Sequence, residues 1–308
     1  MKKFTIGLVL LALLSPMSVR AQELIPGGQV VGIRLGDPLT VAAFDQQSSA
    51  KAAGLQVGDR ITHINDQQVD SVSGLQQAVK AAKGAVRLRY VRSGKENTVC
   101  IEPRDGLLGI YMRKTVTGIG TVTYYDPVTG AYGALGHGVN DKNGALLDEG
   151  VGQVYDSNVL SVQPGKTGEP GRLVGSLDPD APLGSLEKNT TLGIFGTMEQ
   201  LPEGTPLETG SAQTGDACIY CTVRDQEIQE YSVKILKVYP SQRENGRNML
   251  LQITDPALLE TTNGIVQGMS GSPIIQDGKL VGAVTHVLVN DPTMGYGIFI
   301  ENMLDAAA

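Results

Sequence analysis

Glycine limits what this chain can fold into. Its 39 glycines cut the apolar stretches into pieces of strand length, among them GTVTYYD, TTLGIFGTM, YSVKILKVY, NMLLQIT and LVGAVTHVLV. A residue without a Cβ allows the positive φ of tight turns but weakens a helix interior. Aromatic residues make up 5% of the chain and Trp is absent. Many short strands joined by turns therefore fit better than a helical bundle. With 308 residues, the chain can form two domains with a substantial core. A net charge of −7 argues against a nucleic-acid-binding surface.

The first residues read as an address. Lys2 and Lys3 precede the apolar run FTIGLVLLALL, and SPMSVRA follows with small residues at an A-x-A-like site. These are the parts of a secretory signal. The run is short for a membrane span, which needs roughly 20 residues, and Pro16 and Arg20 weaken a spanning helix. Residues 1–21 are thus expected to be a signal peptide, with an uncleaved membrane anchor as the alternative. Either way the working protein is expected outside the cytoplasm.

Three cysteines, Cys100, Cys218 and Cys221, are too few for a disulfide scaffold. Cys218 and Cys221 form C-x-x-C in ACIYCTV, but no second such pair or His pair completes a zinc site. On a strand, positions i and i+3 face opposite sides. Structural cysteines and no metal are the expectation. PGKTG (164–168) is not a P-loop, because Leu160 stands where the first glycine is required.

From Leu24 to about Pro103 the pattern is compact. SSAKAAGL reads as a short helix opened by serine and closed by Gly54. SVSGLQQAVKAA carries Val72, Leu75, Val79 and Ala82 at helical spacing. Strands end in turns at Asn65–Asp66 and Ser93–Gly94. AAGLQVGDRITHINDQQV (52–69) closely resembles the G-L-x-x-G-D-x-I-x-x-I-N-G signature of PDZ domains. The resemblance implies an α+β domain over 24–103 that takes a peptide as an added strand. It also implies a carboxylate loop at Val31, Gly32 and Ile33, and a groove helix at Ser71 to Ala82. His63, on the strand ITHIN, reads as an ordinary surface or core histidine.

Residues 106–308 read as an all-β barrel or sandwich. Within them GIVQGMSGSPIIQDGKLVGAVTHV sets Ser270 and Ser272 among glycines. Hydrolysis by serine needs an exposed hydroxyl, an imidazole base and an orienting acid. His137, between glycines in YGALGHGVND, is the better base. His286, inside a strand, reads as strand packing. The acid is open among Asp178, Asp180 and Asp255. G-M-S-G-S-P resembles the G-D-S-G-G-P nucleophile loop of chymotrypsin-like proteases. That likeness implies Ser270 as nucleophile, the N–H groups of Gly268 and Ser270 as oxyanion hole, Ser272 in support, and His286, on the strand after the loop, as a candidate wall of the S1 pocket contacting a polar P1 side chain.

The chain as a whole resembles the stage IV sporulation protein B (SpoIVB) serine peptidase family. The likeness rests on LIPGGQ leading into the PDZ-like stretch, GALGHGV, ITDP and GIVQGMSGSPIIQDGKLVGAVTHVLVNDP. It implies a chymotrypsin-like β-barrel serine endopeptidase over 106–308 that needs no cofactor, with His137 as base, Asp255 as orienting acid and Ser270 as nucleophile. It also implies action between forespore and mother cell. The implied partners are the enzyme itself and a membrane-associated regulator of an intramembrane protease complex, both as substrates. The competing expectation is a secreted PDZ adaptor whose serine is unreactive; a fluorophosphonate probe separates the two.

Overall fold

The computed structural model describes residues 22–36, 39–69, 71–113, 115–141, 144–147, 152–240 and 246–308. The expected signal or anchor, residues 1–21, lies outside them. The described chain is mainly β and forms two barrels with an inserted α+β unit.

The first barrel starts with β1 (Glu23–Pro26) and β2 (Val30–Leu35). The chain then leaves for the α+β unit: β3 (Val41–Phe44), α1 (Ser49–Ala52), β4 (Arg60–Ile64), β5 (Gln67–Gln68), α2 (Val72–Ala81), β6 (Val86–Arg92), β7 (Lys95–Ile101) and β8 (Ile110–Met112). It returns through β9 (Val116–Tyr125), β10 (Ala131–Ala134), β11 (Gly152–Gln163), β12 (Arg172–Thr190), β13 (Gly193–Met198) and the short β14 (Leu207–Glu208). Pairing runs β10-β13-β12-β11-β2-β9, and β10 also pairs β9, so six strands close a ring. Val122, Val154, Leu186 and Ile194 fill it and are fully buried.

The second barrel is closed by β15 (Gly215–Thr222), β16 (Ile228–Val238), β17 (Met249–Ile253), β18 (Pro273–Gln276), β19 (Lys279–Leu288) and β20 (Asp291–Phe299). The short helix α3 (Pro256–Thr262) follows β17, and α4 (Ile300–Ala307) ends the chain. β16 shows why such runs become barrel strands. Tyr231, Val233 and Ile235 face in, while Glu230, Ser232 and Lys234 face out, matching the two-residue period of a half-buried strand. Cys218 and Cys221 are free and pack into different apolar clusters from opposite faces of β15. Leu24, Tyr124 and Phe195 of the first barrel meet Ile275, Ala283 and Ile298 of the second, and Ile300 and Met303 of α4 join this cluster.

The domain boundary drawn from the sequence needs correcting. Residues 24–35 belong to the barrel, not to the PDZ-like unit. β2 pairs β9 from Val30↔Thr121 to Leu35↔Val116 and pairs β11 on its other side. Val31, Gly32 and Ile33 are therefore mid-barrel residues and form no carboxylate loop. A Cβ at Gly32 would strike Leu177 of β12. The α+β unit is an insertion between β2 and β9, with its own core of Val41, Leu55, Ile61, Leu75, Val79 and Leu88.

Within that unit, Ser48 caps α1 and Ser71 caps α2 through side-chain oxygens on Lys51 N and Gly74 N. The groove lies between α2 and β8, a cavity of about 220 Å³ lined by Val72, Leu75 and Val79 on one side and Leu108, Ile110 and Met112 on the other. β8 pairs β3 along one edge. Ahead of it, the N–H groups of Leu108 and Gly109 have no acceptor among the described residues. Gly109 sits at φ +69, and a Cβ there would meet the Asp45 carboxylate at 2.7 Å. The loop at Leu108, Gly109 and Ile110 thus holds the position that the PDZ resemblance gave to Val31, Gly32 and Ile33.

Candidate active site

The nucleophile loop leaves α3 through Asn263, a left-handed cap at φ 55, and turns at Gly268 (φ +102) and Gly271 (φ +98). Few L side chains tolerate such angles, which explains the spacing of the glycines. Met269 N–H donates to Val266 O at 3.1 Å, and Ser272 donates to Met269 O from both N (3.0 Å) and Oγ (2.7 Å). Ser272 is fully buried and holds the loop from below.

The first barrel grips the same loop. Thr121 of β9 donates from N to Ser270 O at 3.0 Å and from Oγ1 to Gly268 O at 2.7 Å. Thr123 Oγ1 donates to Gly271 O at 2.8 Å. A Cβ on Gly271 would fall on the Thr121 carbonyl, so the barrels approach here only because this residue is glycine. These bonds occupy carbonyls and leave two amides open. The N–H groups of Gly268 and Ser270 have no acceptor among the described residues.

His137 follows β10 after two residues in the left-handed region, Leu135 (φ 70) and Gly136 (φ 67). A bulky aliphatic residue at positive φ is strained, and such strain concentrates at functional sites. A Cβ on Gly136 would meet Thr285 Cγ2 at 2.7 Å, so Gly136 lets the histidine turn press against β19. His137 Nδ1 lies 2.9 Å from Gly138 O. A carbonyl can only accept, so Nδ1 carries the proton and Nε2 keeps its lone pair. Burial pushes the His137 pKa below the usual histidine value, against the opposing pull of the Gly138 carbonyl. Asn189, at the end of β12, clamps the outgoing chain. Its Oδ1 accepts from Val139 N, and its Nδ2 donates to Val139 O and Leu147 O at 2.9–3.0 Å.

Ser270, His137 and His286 line one cleft of about 490 Å³ between the barrels, together with Gly268, Thr285 and Ile33. The Ser270 hydroxyl donates to Thr285 O at 2.7 Å. The ring of His286 packs on that of His137, with centroids 5.1 Å apart and planes tilted by 43°. Burial, then His137, then Arg247 hold the His286 pKa down to about 4, so it is neutral near pH 7.

Asp255 is not part of this constellation. It is the N-cap of α3, its Oδ1 accepting from Ala257 N (3.0 Å) and Leu258 N (3.1 Å), with Pro256 in the first turn. Its Oδ2 accepts from Ser232 N at 3.3 Å. No hydrogen bond joins it to His137 among the described residues. Asp178 and Asp180 lie on an exposed bulge of β12, where Asp180 N–H donates to Asp178 Oδ1. The contribution the sequence missed is Asn189. It stood in KNTTLG, where asparagine reads only as turn chemistry.

Residues 105–304 match the family model described as SpoIVB peptidase S55, and residues 40–92 match that of the PDZ domain. A curated relative is the "Zinc metalloprotease RasP" of Geobacillus kaustophilus (strain HTA426), 27% identical over 103 residues. That match takes in 29% of this chain and 24% of the relative, so the chain spans about a quarter of that protein's length. Among solved structures, the inactive form of the Rv3671c protease aligns at 14% identity over 62% of this chain and 84% of its own, with a TM-score of 0.36. The active form of the M. tuberculosis Rv3671c protease aligns at 14% identity over 77% of this chain and 83% of its own, with a TM-score of 0.34.

Proposed function

The chain belongs to the SpoIVB peptidase S55 family, a serine endopeptidase family, and from that premise we propose that Ser270 is the nucleophile, His137 its base and the Gly268 and Ser270 amides the oxyanion hole. One observation carries the assignment. Two amides without acceptors among the described residues, those of Gly268 and Ser270, lie at a serine that shares a cleft with a histidine of the required tautomer.

The chemistry follows from the geometry. An extended peptide whose N–H takes the Thr285 carbonyl displaces the Ser270 hydroxyl, which turns toward His137. As Oγ bonds the scissile carbon, its proton passes to His137 Nε2. The carbonyl oxygen becomes an oxyanion held by Gly268 N–H and Ser270 N–H. His137 then gives its proton to the leaving amine, and water hydrolyses the acyl-enzyme by the same steps. The Gly138 carbonyl, not a carboxylate, fixes the imidazole tautomer.

The substrates we propose are proteins: the chain itself, and a membrane-associated regulator of an intramembrane protease complex, acted on between forespore and mother cell during spore formation. The Lys2–Lys3 start and its apolar run support export. A peptide ligand fits the α2–β8 groove, its terminal carboxylate on the Leu108 and Gly109 amides. The test is fluorophosphonate labelling of the purified chain beside Ser270→Ala and His137→Ala, with intact mass followed over time. Labelling of the parent alone is expected. Equal labelling of parent and Ser270→Ala, or none of either, overturns the assignment.

A further inference from the structure

The cleft continues past the serine along one face of the second barrel. Over Thr285–Val287, β19 has β20 as its strand partner, since β18 pairs it only from Lys279 to Ala283. Its other edge is open beside Ser270, among the described residues. A peptide added there runs antiparallel to β19, so residues before the scissile bond lie alongside Thr285, His286 and Val287. Side chains alternate between faces, and directly opposed residues share one. The second residue before the bond therefore shares the face of His286, as does the fourth.

That face is built from an aromatic ring and a cation. Tyr296 of β20 is registered directly opposite His286, and Leu250 of β17 lies on its far side. Arg247, exposed two residues before β17, holds its guanidinium 5.3 Å from the Tyr296 ring centroid. It forms no ion pair among the described residues. His286 Nδ1 is buried and has no hydrogen-bond partner among the described residues. This arrangement stands out in a chain with 32 acidic against 25 basic residues. An anion is the group that would complete the Arg247 guanidinium.

We infer that Arg247, Tyr296 and His286 form a subsite for an acidic side chain, Glu or Asp, at the second or fourth residue before the bond that is cut. The inference rests on the serine peptidase reading of the same cleft. The ring holds the guanidinium by a cation–π contact, and a carboxylate that enters beside His286 would pair with it. Glu reaches further than Asp and is the better fit.

The test is to digest a peptide library of broad composition with the full chain and read every cut by mass spectrometry. Arg247→Ala, Arg247→Lys and Arg247→Glu are run in parallel, with thermal unfolding confirming that each is folded. Enrichment of Glu at the second or fourth position is expected, falling about tenfold in Arg247→Ala. Arg247→Lys should retain most of it, and Arg247→Glu should reverse it toward Lys and Arg. A parent profile without acidic preference, or a preference that survives Arg247→Glu, overturns the subsite. Fluorophosphonate labelling of the parent separates the failures. A labelled enzyme with a flat profile refutes only the subsite, whereas an unlabelled, inactive parent removes the peptidase reading and the subsite with it.

Discussion

Replacing Asp255 decides between two roles whose energies differ several-fold. In the structure its carboxylate accepts N–H groups of Ala257, Leu258 and Ser232 at 3.0, 3.1 and 3.3 Å. The first two are the orphan donors of a helix N-terminus. Losing such a cap to alanine costs about 1 kcal/mol and up to about 2. The bond to Ser232 is long and exposed and adds little. For a domain of this size that amounts to a fall in Tm of roughly 2–8 °C. An acid that orients the catalytic histidine is worth about 10⁴ in rate, near 5.5 kcal/mol. Asp255→Ala is therefore expected to lower the unfolding midpoint and to leave kcat/KM within a few-fold of the parent, assayed well below Tm. Asp255→Ser and Asp255→Asn retain an oxygen acceptor and should recover most of the stability. The reasoning is refuted if kcat/KM falls by 10³ or more while the urea midpoint stays in place.

The base must be neutral to act, and burial lowers the His137 pKa, so kcat/KM should rise with pH through a value below 6.5 and then level off; an inflection above 6.5 counts against this. Folded His137 and His286, the latter at about 4, bind fewer protons than the unfolded chain between about pH 4 and 6.5, so stability should fall as pH drops through that window and fall less steeply in His286→Gln, as followed by urea unfolding. Thr121→Val leaves the buried Gly268 carbonyl without its 2.7 Å donor, which should cost about 1–3 kcal/mol and slow fluorophosphonate labelling at least tenfold; unchanged labelling would mean that the grip of β9 does not shape the oxyanion hole. Gly109→Ala strains a φ of +69 and presses on Asp45, so peptide capture by the α2–β8 groove, read by fluorescence anisotropy, should be lost while labelling of Ser270 persists.

What could be read from the sequence is what short-range chemistry decides. The caps Ser48 and Ser71, the turns Asn65–Asp66 (φ 46 and 67) and Ser93–Gly94 (φ 50 and 74), and the two PDZ helices follow from residues within a few positions of one another. The turns of the Ser270 loop were legible for the same reason, since Gly268 and Gly271 mark positive φ. Strand partnership across long separations was not. VVGI at 30–33 and LLGI at 107–110 carry the same apolar-glycine-isoleucine pattern, and only pairing with Thr121 and Asp156 puts the first in the barrel. Asp255 shows a second kind of ambiguity. An Asp-Pro pair after a strand reads equally as a rigid orienter or as an N-cap with proline in the first turn, and ALLETT supplied the helix that favours the cap. Asn189 gave no local signal, because its partners Val139 and Leu147 are brought to it by the barrel.

The insertion topology makes a demand that an N-terminal PDZ domain would not. Leu35 and Val116 are registered partners at the ends of β2 and β9, so the whole unit between them can be replaced by a two-residue Asn-Gly turn without moving either strand. A chain in which 36–115 is replaced this way keeps all six strands of the first barrel, Thr121 and the nucleophile loop. It should fold and label at Ser270. Deleting 24–103 instead, the boundary suggested by sequence alone, removes β1 and β2. With them go Leu24, Ile25, Val30, Val31, Ile33 and Leu35, each at most 7% exposed. At about 1.5–3 kcal/mol per side chain, that loss is on the order of 9–18 kcal/mol. It matches or exceeds the whole stability of an ordinary domain, roughly 5–15 kcal/mol. That shorter chain should be insoluble or unfolded by circular dichroism. A folded, labelled product from the 24–103 deletion, or an unfolded one from the turn replacement, would refute the placement of β2 beside β9 and the account of how β9 holds Ser270.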